Sequence, residues 1–298
     1  MERVGFIGLG KMGYRMASNI IKKFPLIVWN RTIERAAELS AKGATVASSP
    51  SELAKQSTVI ITMLATPTAT ADVILGREQY KGRGVLDGVS DGKIIIDMST
   101  NSPLIVRMIA SHLIGKGCYL IDAPVMGSIQ AAEEAALTIL ASGEFSAFEK
   151  IKPILETMGK KVWYLGELGK ASSLKLIFNL HLFLLTAAFS EAFALAIRSK
   201  LDPKTVLEIW NSSNQKTYIS ETKGPRILAD DWMATFTVGL ALKDLQILAE
   251  MVEELEFPLI LGSVVRELYK ACSSLDLKEM DFAAIYKLYE YLSKARKL

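Results

Sequence analysis

One glycine spacing constrains this chain more than any other feature. Gly8-Leu9-Gly10-Lys11-Met12-Gly13 follows the apolar run Val4-Gly5-Phe6-Ile7 and leads into a helical pattern. Each glycine has a mechanical reason in that setting. Gly8 permits a tight turn, Gly10 lets backbone approach a ligand, and Gly13 lets the helix pack closely on the strand. The helix then starts with unsatisfied N–H groups at its positive end, which favour an anion. A strand that feeds a helix in this way belongs to a parallel sheet, because parallel neighbours need a crossover between them.

The rest of the first half agrees with that beginning. Strand-like runs are expected at Val4–Ile7, Leu26–Trp29, Ala44–Val46, Thr58–Met63, Ile94–Asp97, Tyr119–Ile121, Leu137–Leu140 and Val162–Tyr164. Helical patterns fall between most of them, for instance Met12–Lys23, Ile33–Lys42 and Ser102–Lys116. Ser49-Pro50 and Ser102-Pro103 each put a capping residue before a helix-opening proline. After Gly169 the strand signal stops. A helix of roughly 28 residues is expected from Ser172 to Ser199, well beyond the usual three turns. Further helices are expected near Pro203–Ser212, Gly239–Glu254, Pro258–Ser273 and Phe282–Lys297, with Lys294-Ala295-Arg296-Lys297 as a solvated last turn. The expected fold is an α/β, doubly wound, Rossmann-type domain over residues 1–165, followed by an all-α domain over 166–298, joined by the long helix.

Composition excludes several function classes. Thirty-five basic against 32 acidic residues leave a net charge of +3, scattered along the chain, which argues against nucleic-acid binding. Two histidines and two distant cysteines, Cys118 and Cys272, give no metal-ligand spacing. The cysteines read as reduced thiols, and with no signal-peptide pattern the expected location is cytoplasmic. Leu176 to Ile197 is apolar enough to raise a membrane span, but Asn179, His181, Ser190 and Glu191 would be costly in lipid. Burial in a helical domain or a subunit interface is the expectation instead, so no membrane is involved.

The glycine motif, placed between strand and helix, points to a dinucleotide, with Leu9, Lys11 and Met12 counted among its contacts. Trp29-Asn30-Arg31-Thr32 ends the second strand without the carboxylate that would hold a free ribose 2′-hydroxyl. Arg31 can pair with a 2′-phosphate, and Asn30 and Thr32 add hydrogen-bonding groups, so the expected cofactor is NADP. At the start of the long helix, Lys175 and Asn179 are four residues apart and share a face. Burying a lysine on an apolar helix lowers its pKa, which suits proton exchange with a carbonyl oxygen. On spacing alone, a lysine whose charged end reaches solvent is an equal reading.

Five ordered blocks carry a family resemblance. They are Gly5 to Gly13, Asp97-Met98-Ser99-Thr100 with Pro103, Asp122-Ala123-Pro124-Val125 with Gly127, Gly169 with Lys175 and Asn179, and Lys243-Asp244-Leu245. Together they span nearly the whole chain, which resembles the β-hydroxyacid dehydrogenase family of 3-hydroxyisobutyrate dehydrogenases, L-serine 3-dehydrogenases and glyoxylate/succinic semialdehyde reductases. The resemblance implies Lys175 as general acid/base and Asn179 beside the substrate hydroxyl. It implies Gly127 and Ser128 at the substrate carboxylate, and Thr100, Leu64 and Ala65 on the nicotinamide side. Lys243 is implied to close over the cofactor.

Two positions depart from the family pattern. Met126 stands where a serine is usual, and Phe178 stands where many members have asparagine. The implied substrate is a small hydroxy acid or aldehyde acid, L-serine foremost or 3-hydroxyisobutyrate, with glyoxylate/succinic semialdehyde reduction as the alternative. A non-catalytic NADP-binding scaffold module is the alternative of another class. Apolar residues nearly all round the long helix imply a homodimer or homotetramer.

Overall fold

The computed structural model describes residues 2–293, so the expected last turn at Lys294-Ala295-Arg296-Lys297 lies outside the described residues. Two compact units are present, Met1–Lys175 and Leu176–Leu298.

The first unit carries strands β1 (Val4–Ile7), β2 (Leu26–Trp29), β3 (Thr45–Val46), β4 (Val59–Thr62), β5 (Ile94–Asp97), β6 (Tyr119–Asp122), β7 (Val125–Met126), β8 (Leu137–Gly143) and β9 (Gly159–Tyr164). Its helices are α1 (Lys11–Ile20), α2 (Ala37–Ala41), α3 (Pro50–Gln56), α4 (Pro67–Leu75), α5 (Pro103–Ile114), α6 (Ile129–Glu133) and α7 (Phe145–Leu155). The strand order β3-β2-β1-β4-β5-β6-β8-β7, with β9 on β8, is parallel from β3 to β6; β8 then runs antiparallel to β6 and β7. Chain order reverses between β1 and β4. In open α/β sheets, that reversal is where ligands bind, beyond the carboxyl ends of the strands.

Alternate residues of each central strand feed two separate cores. Val4, Phe6, Val28, Ile61 and Ile96 pack on one face, and Ile7, Ile27, Ile60 and Ile95 on the other. Burial on both faces is why these strands read as unbroken apolar runs rather than as an alternation. The expected serine caps are in place, Ser49 accepting from Glu52 N and Ser102 from Leu104 N. The expected helix at Ile33–Lys42 is instead a 3-10 turn, Ile33–Ala36, followed by the short α2, and no side chain caps either piece. Strand β7 was not legible in the sequence, because two residues carry no period.

The second unit is helical. Helix α8 (Lys170–Arg198) begins in the first unit and continues into the second, followed by α9 (Pro203–Ser212), α10 (Tyr218–Thr222), α11 (Gly224–Leu228), α12 (Val238–Glu254), α13 (Ile260–Ser274) and α14 (Ile285–Ser293). By length and composition α8 could cross a membrane. In this unit its Leu176, Phe183, Phe189, Phe193 and Ile197 belong to the core, with Leu245 and Leu248 of α12 and Tyr269 of α13. A buried ion-pair group closes the same unit. Lys223 Nζ lies 2.8 Å from Asp281 Oδ1, and the Asp281 carboxylate also accepts from Arg226 and Thr235. Burial pushes the Asp281 carboxyl up, but the hydrogen bond and charge of Lys223 overcome this and hold it below its ordinary range.

Candidate active site

The loop after β1 is built for close approach. Gly8 has φ +100°, and a β-carbon there would stand 2.3 Å from the Met63 carbonyl oxygen. A β-carbon at Gly13 would stand 2.0 Å from the Gly8 carbonyl oxygen, whereas one at Gly10 would meet nothing within 4 Å. The space over Gly10 is therefore open while its neighbours are packed. Helix α1 has no side-chain cap and no acidic residue in its first turn, which suits its positive end to an anion. Lys11 and Met12 form the first positions of this helix. Across the loop, Leu9 N donates to Asn30 Oδ1 at 2.9 Å, and Asn30 Nδ2 donates to Thr32 O at 2.8 Å. The Asn30 side chain thus ties the glycine loop to the end of β2, while Arg31 and Thr32 are exposed. An open glycine and uncapped amides at a sheet's reversal point fit a dinucleotide pyrophosphate.

Leu64 and Ala65 follow β4, and Thr100 follows β5 shortly after Asp97. Leu64 N donates to Ser99 Oγ at 2.9 Å. The buried Asp97 carboxylate accepts from Asn101 Nδ2 at 2.6 Å, Thr62 Oγ1 at 2.9 Å and Ser99 N at 3.2 Å. Burial pushes the Asp97 carboxyl up, and the bonds from Asn101, Ser99 and Thr62 oppose that. One carboxylate therefore organises both loops of the expected nicotinamide side.

A second buried carboxylate does the same one strand away. Asp122, ending β6, accepts from Ser172 N at 2.8 Å, from Gly169 N at 3.2 Å and from the Ser142 hydroxyl. Ser142 Oγ in turn accepts from Ala171 N at 3.0 Å. The first amides of α8 are thus satisfied by Asp122 and Ser142, and a carboxylate sits where the helix dipole favours it. Lys175 follows in the second turn, half-buried. Gly127 has φ +139°, and Ser128 caps the short α6 by accepting from Ala131 N at 3.2 Å. The Ser128 hydroxyl proton remains available, and half-buried Met126 lies in β7 opposite Thr138.

In the second unit, Asn179 of α8 and Lys243 of α12 meet through Asp244, which stands in the sequence only as the middle residue of the block Lys243-Asp244-Leu245. Asn179 Nδ2 donates to Asp244 Oδ2 at 2.6 Å, and Lys243 Nζ lies 2.9 Å from Asp244 Oδ1. Asp244 is 1% exposed, so its charge is held by these two groups. Lys175 and Asn179, one turn apart on a continuous helix, project from the same face of α8. Among the described residues, no group of three or more His, Cys, Asp or Glu side chains is placed to hold a metal ion.

Comparison with known proteins decides the family. Residues 3–166 match the description "NAD binding domain of 6-phosphogluconate dehydrogenase", and residues 169–289 match "NAD-binding of NADP-dependent 3-hydroxyisobutyrate dehydrogenase". The chain is 34% identical to glyoxylate/succinic semialdehyde reductase 1 of Arabidopsis thaliana, over 97% of this chain and 98% of that one. It is 35% identical to the mitochondrial 3-hydroxyisobutyrate dehydrogenase of Drosophila melanogaster, over 96% and 89%. The chain belongs to the β-hydroxyacid dehydrogenase family. A solved family structure, the Mycobacterium tuberculosis 3-hydroxyisobutyrate dehydrogenase with L-serine, superposes with a TM-score of 0.85 at 26% identity, covering 97% of this chain and 99% of that one. As a β-hydroxyacid dehydrogenase, the chain is an NAD(P)-binding oxidoreductase with a Rossmann-like first unit and a helical second unit.

Proposed function

We propose that this chain is an NADP-dependent dehydrogenase of small β-hydroxy acids, L-serine foremost or 3-hydroxyisobutyrate, with Lys175 as general acid/base. The observation that carries the reading is Lys175 itself, half-buried on a helix whose first amides are held by Asp122 and Ser142. When bound, the nicotinamide supplies a two-electron hydride acceptor or donor. The glycine loop, Leu9, Lys11 and Met12 receive the dinucleotide; Arg31, with Asn30 and Thr32 beside it, takes the 2′-phosphate end. Leu64, Ala65 and Thr100 line the nicotinamide side, and Lys243 covers the cofactor. In the oxidative direction the neutral Lys175 amine takes the proton of the substrate hydroxyl as the hydride leaves the same carbon, giving a carbonyl. Asn179, its amide oriented by Asp244, holds that oxygen, while Gly127 and Ser128 offer N–H groups to the carboxylate. Met126, in place of a hydroxyl-bearing side chain, leaves that end of the pocket more apolar.

The likeness to a glyoxylate/succinic semialdehyde reductase favours a second reading, in which the Lys175 ammonium donates its proton to an aldehyde oxygen during reduction. Both readings are tested by one panel. L-serine, D-serine and 3-hydroxyisobutyrate are assayed with NADP, and glyoxylate and succinic semialdehyde with NADPH, by nicotinamide absorbance. Lys175→Ala should lower kcat by about 10²–10⁴-fold with cofactor affinity nearly unchanged. Full turnover in that variant removes Lys175 from the role. Silence of the native chain across the panel, with NADP still bound, favours the scaffold reading. Two free buried thiols, Cys118 and Cys272, support a reducing compartment such as the cytoplasm. Exposed Ile177, Phe178, Ile260, Leu261 and Val264 in the second unit support self-association as a homodimer or homotetramer.

A further inference from the structure

In the sequence, Arg31 is the one cation in the NADP reading, beside Asn30, Thr32 and a strand end without a carboxylate, but the first unit places a second arginine with it. A cavity of about 190 Å³ lies beyond the end of β2, and Trp29, Arg31, Ser49, Tyr80 and Arg83 are among its walls. None of its lining residues is acidic, so two guanidinium groups set its charge. Ser48, also at the cavity, has its N–H and hydroxyl committed to the Glu52 carboxylate.

The two arginines are held very differently. Arg31 is exposed, with no hydrogen bond or ion pair among the described residues. Arg83 stands on a tightly tied loop. Its N–H donates to Tyr80 O at 2.8 Å, and its carbonyl accepts from Ser51 N at 2.9 Å. A β-carbon at the next residue, Gly84, would stand 2.3 Å from Gly76 N, so the loop is closed against the end of α4. The Arg83 side chain spends one donor on Ser48 O at 3.1 Å, which fixes its direction and leaves the remaining guanidinium N–H groups for another acceptor. A fork fixed before binding loses little freedom when it pairs with a phosphate. Trp29 and Tyr80, packed edge to face with ring centroids 5.7 Å apart, make a rigid apolar wall beside it.

We propose that Arg83 is a second determinant of nucleotide choice, a preorganised donor that binds the 2′-phosphate of NADP together with Arg31. This rests on the reading of NADP as cofactor, and the test separates the two. Adenosine 2′,5′-bisphosphate and adenosine 5′-diphosphate are titrated calorimetrically into the native chain and into Arg83→Gln, Arg83→Lys and Arg31→Gln. The native chain should prefer the 2′-phosphorylated ligand. Arg83→Gln should weaken that ligand roughly 10–100-fold, as expected for loss of a charge-assisted hydrogen bond, and the other by less than about twofold. Arg83→Lys keeps the charge without the fork and should fall between. Equal affinity of the native chain for both ligands overturns the NADP reading, and this proposal with it. A native preference that survives intact in Arg83→Gln overturns the proposal alone and leaves the phosphate to Arg31. Equal loss of both ligands also overturns it, assigning Arg83 to the shape of the adenosine pocket.

Discussion

Asp244 holds two side chains, the Asn179 amide and the Lys243 ammonium, and neither is its neighbour on a helix face. Removing it as Asp244→Ala strands a buried amide and an ammonium at once. The expected cost is about 1–3 kcal/mol of stability, seen as a lower urea midpoint, with Asp244→Asn milder because one hydrogen bond survives. Position 126 tests substrate choice under the proposed function: Met126→Ser should shift the ratio of kcat/KM values between L-serine and 3-hydroxyisobutyrate, and an unchanged ratio relieves Met126 of any selective part. Gly8, Gly10, Gly13, Arg31, Lys175 and Asn179 could be picked out of the sequence because each belongs to a local spacing. Asp97, Asp122 and Asp244 could be seen only as parts of blocks. Asp122 meets Ser172 fifty positions away, and Asn179 meets Asp244 sixty-five positions away, so no window of sequence contains both partners.

Helix α8 shows how an element inherits its position from a strand end. Two of its leading amides, Ala171 and Ser172, and that of Gly169 just before it reach Asp122 or Ser142, directly fixing the turn that precedes Lys175. Asp122→Ala should therefore lower kcat more than it raises KM for the acid substrate, and cost about 1.5–3 kcal/mol in urea unfolding for the lost carboxylate hydrogen bonds. Helix α1 gives the opposite test, of too little room rather than too few bonds. Gly13→Ala forces a methyl to within 2.0 Å of the Gly8 carbonyl oxygen. It should abolish measurable dinucleotide binding or cost about 1–3 kcal/mol through strain. Helix α8 was legible because its apolar pattern runs unbroken for many turns, and the central strands because burial on both faces leaves continuous apolar runs. The stretch after β2 was not, because its apolar residues continue a helical spacing while no cap secures the turn, and a 3-10 segment takes its place.

At the scale of the whole molecule, the second unit encloses the charge group centred on Asp281. Asp281 is held below the ordinary carboxylate range, so its contribution is present above the unfolded value near pH 4 and is lost as pH falls through the lower folded value. Asp281→Ala leaves Lys223 buried without its partner and should cost about 3–5 kcal/mol at neutral pH. The difference between native chain and variant, followed by urea midpoints, should shrink on acidification below about pH 4. Self-association is read by light scattering, where a monomer mass at micromolar concentration rules it out.

One rung of the first sheet joins these scales. Ile7, Thr62, Asp97 and Asp122 stand side by side in register across β1, β4, β5 and β6. The rung passes from hydrocarbon to hydroxyl to two carboxylates; Thr62 donates across to Asp97 on the next strand, and the two aspartates reach beyond the sheet to hold Asn101 and the Ser172 N–H. For anyone exchanging parts between such enzymes, the transferable unit is then not a loop by itself. It is a loop together with its acceptor on the rung; a graft that brings the loop without its aspartate arrives with its amides unanswered.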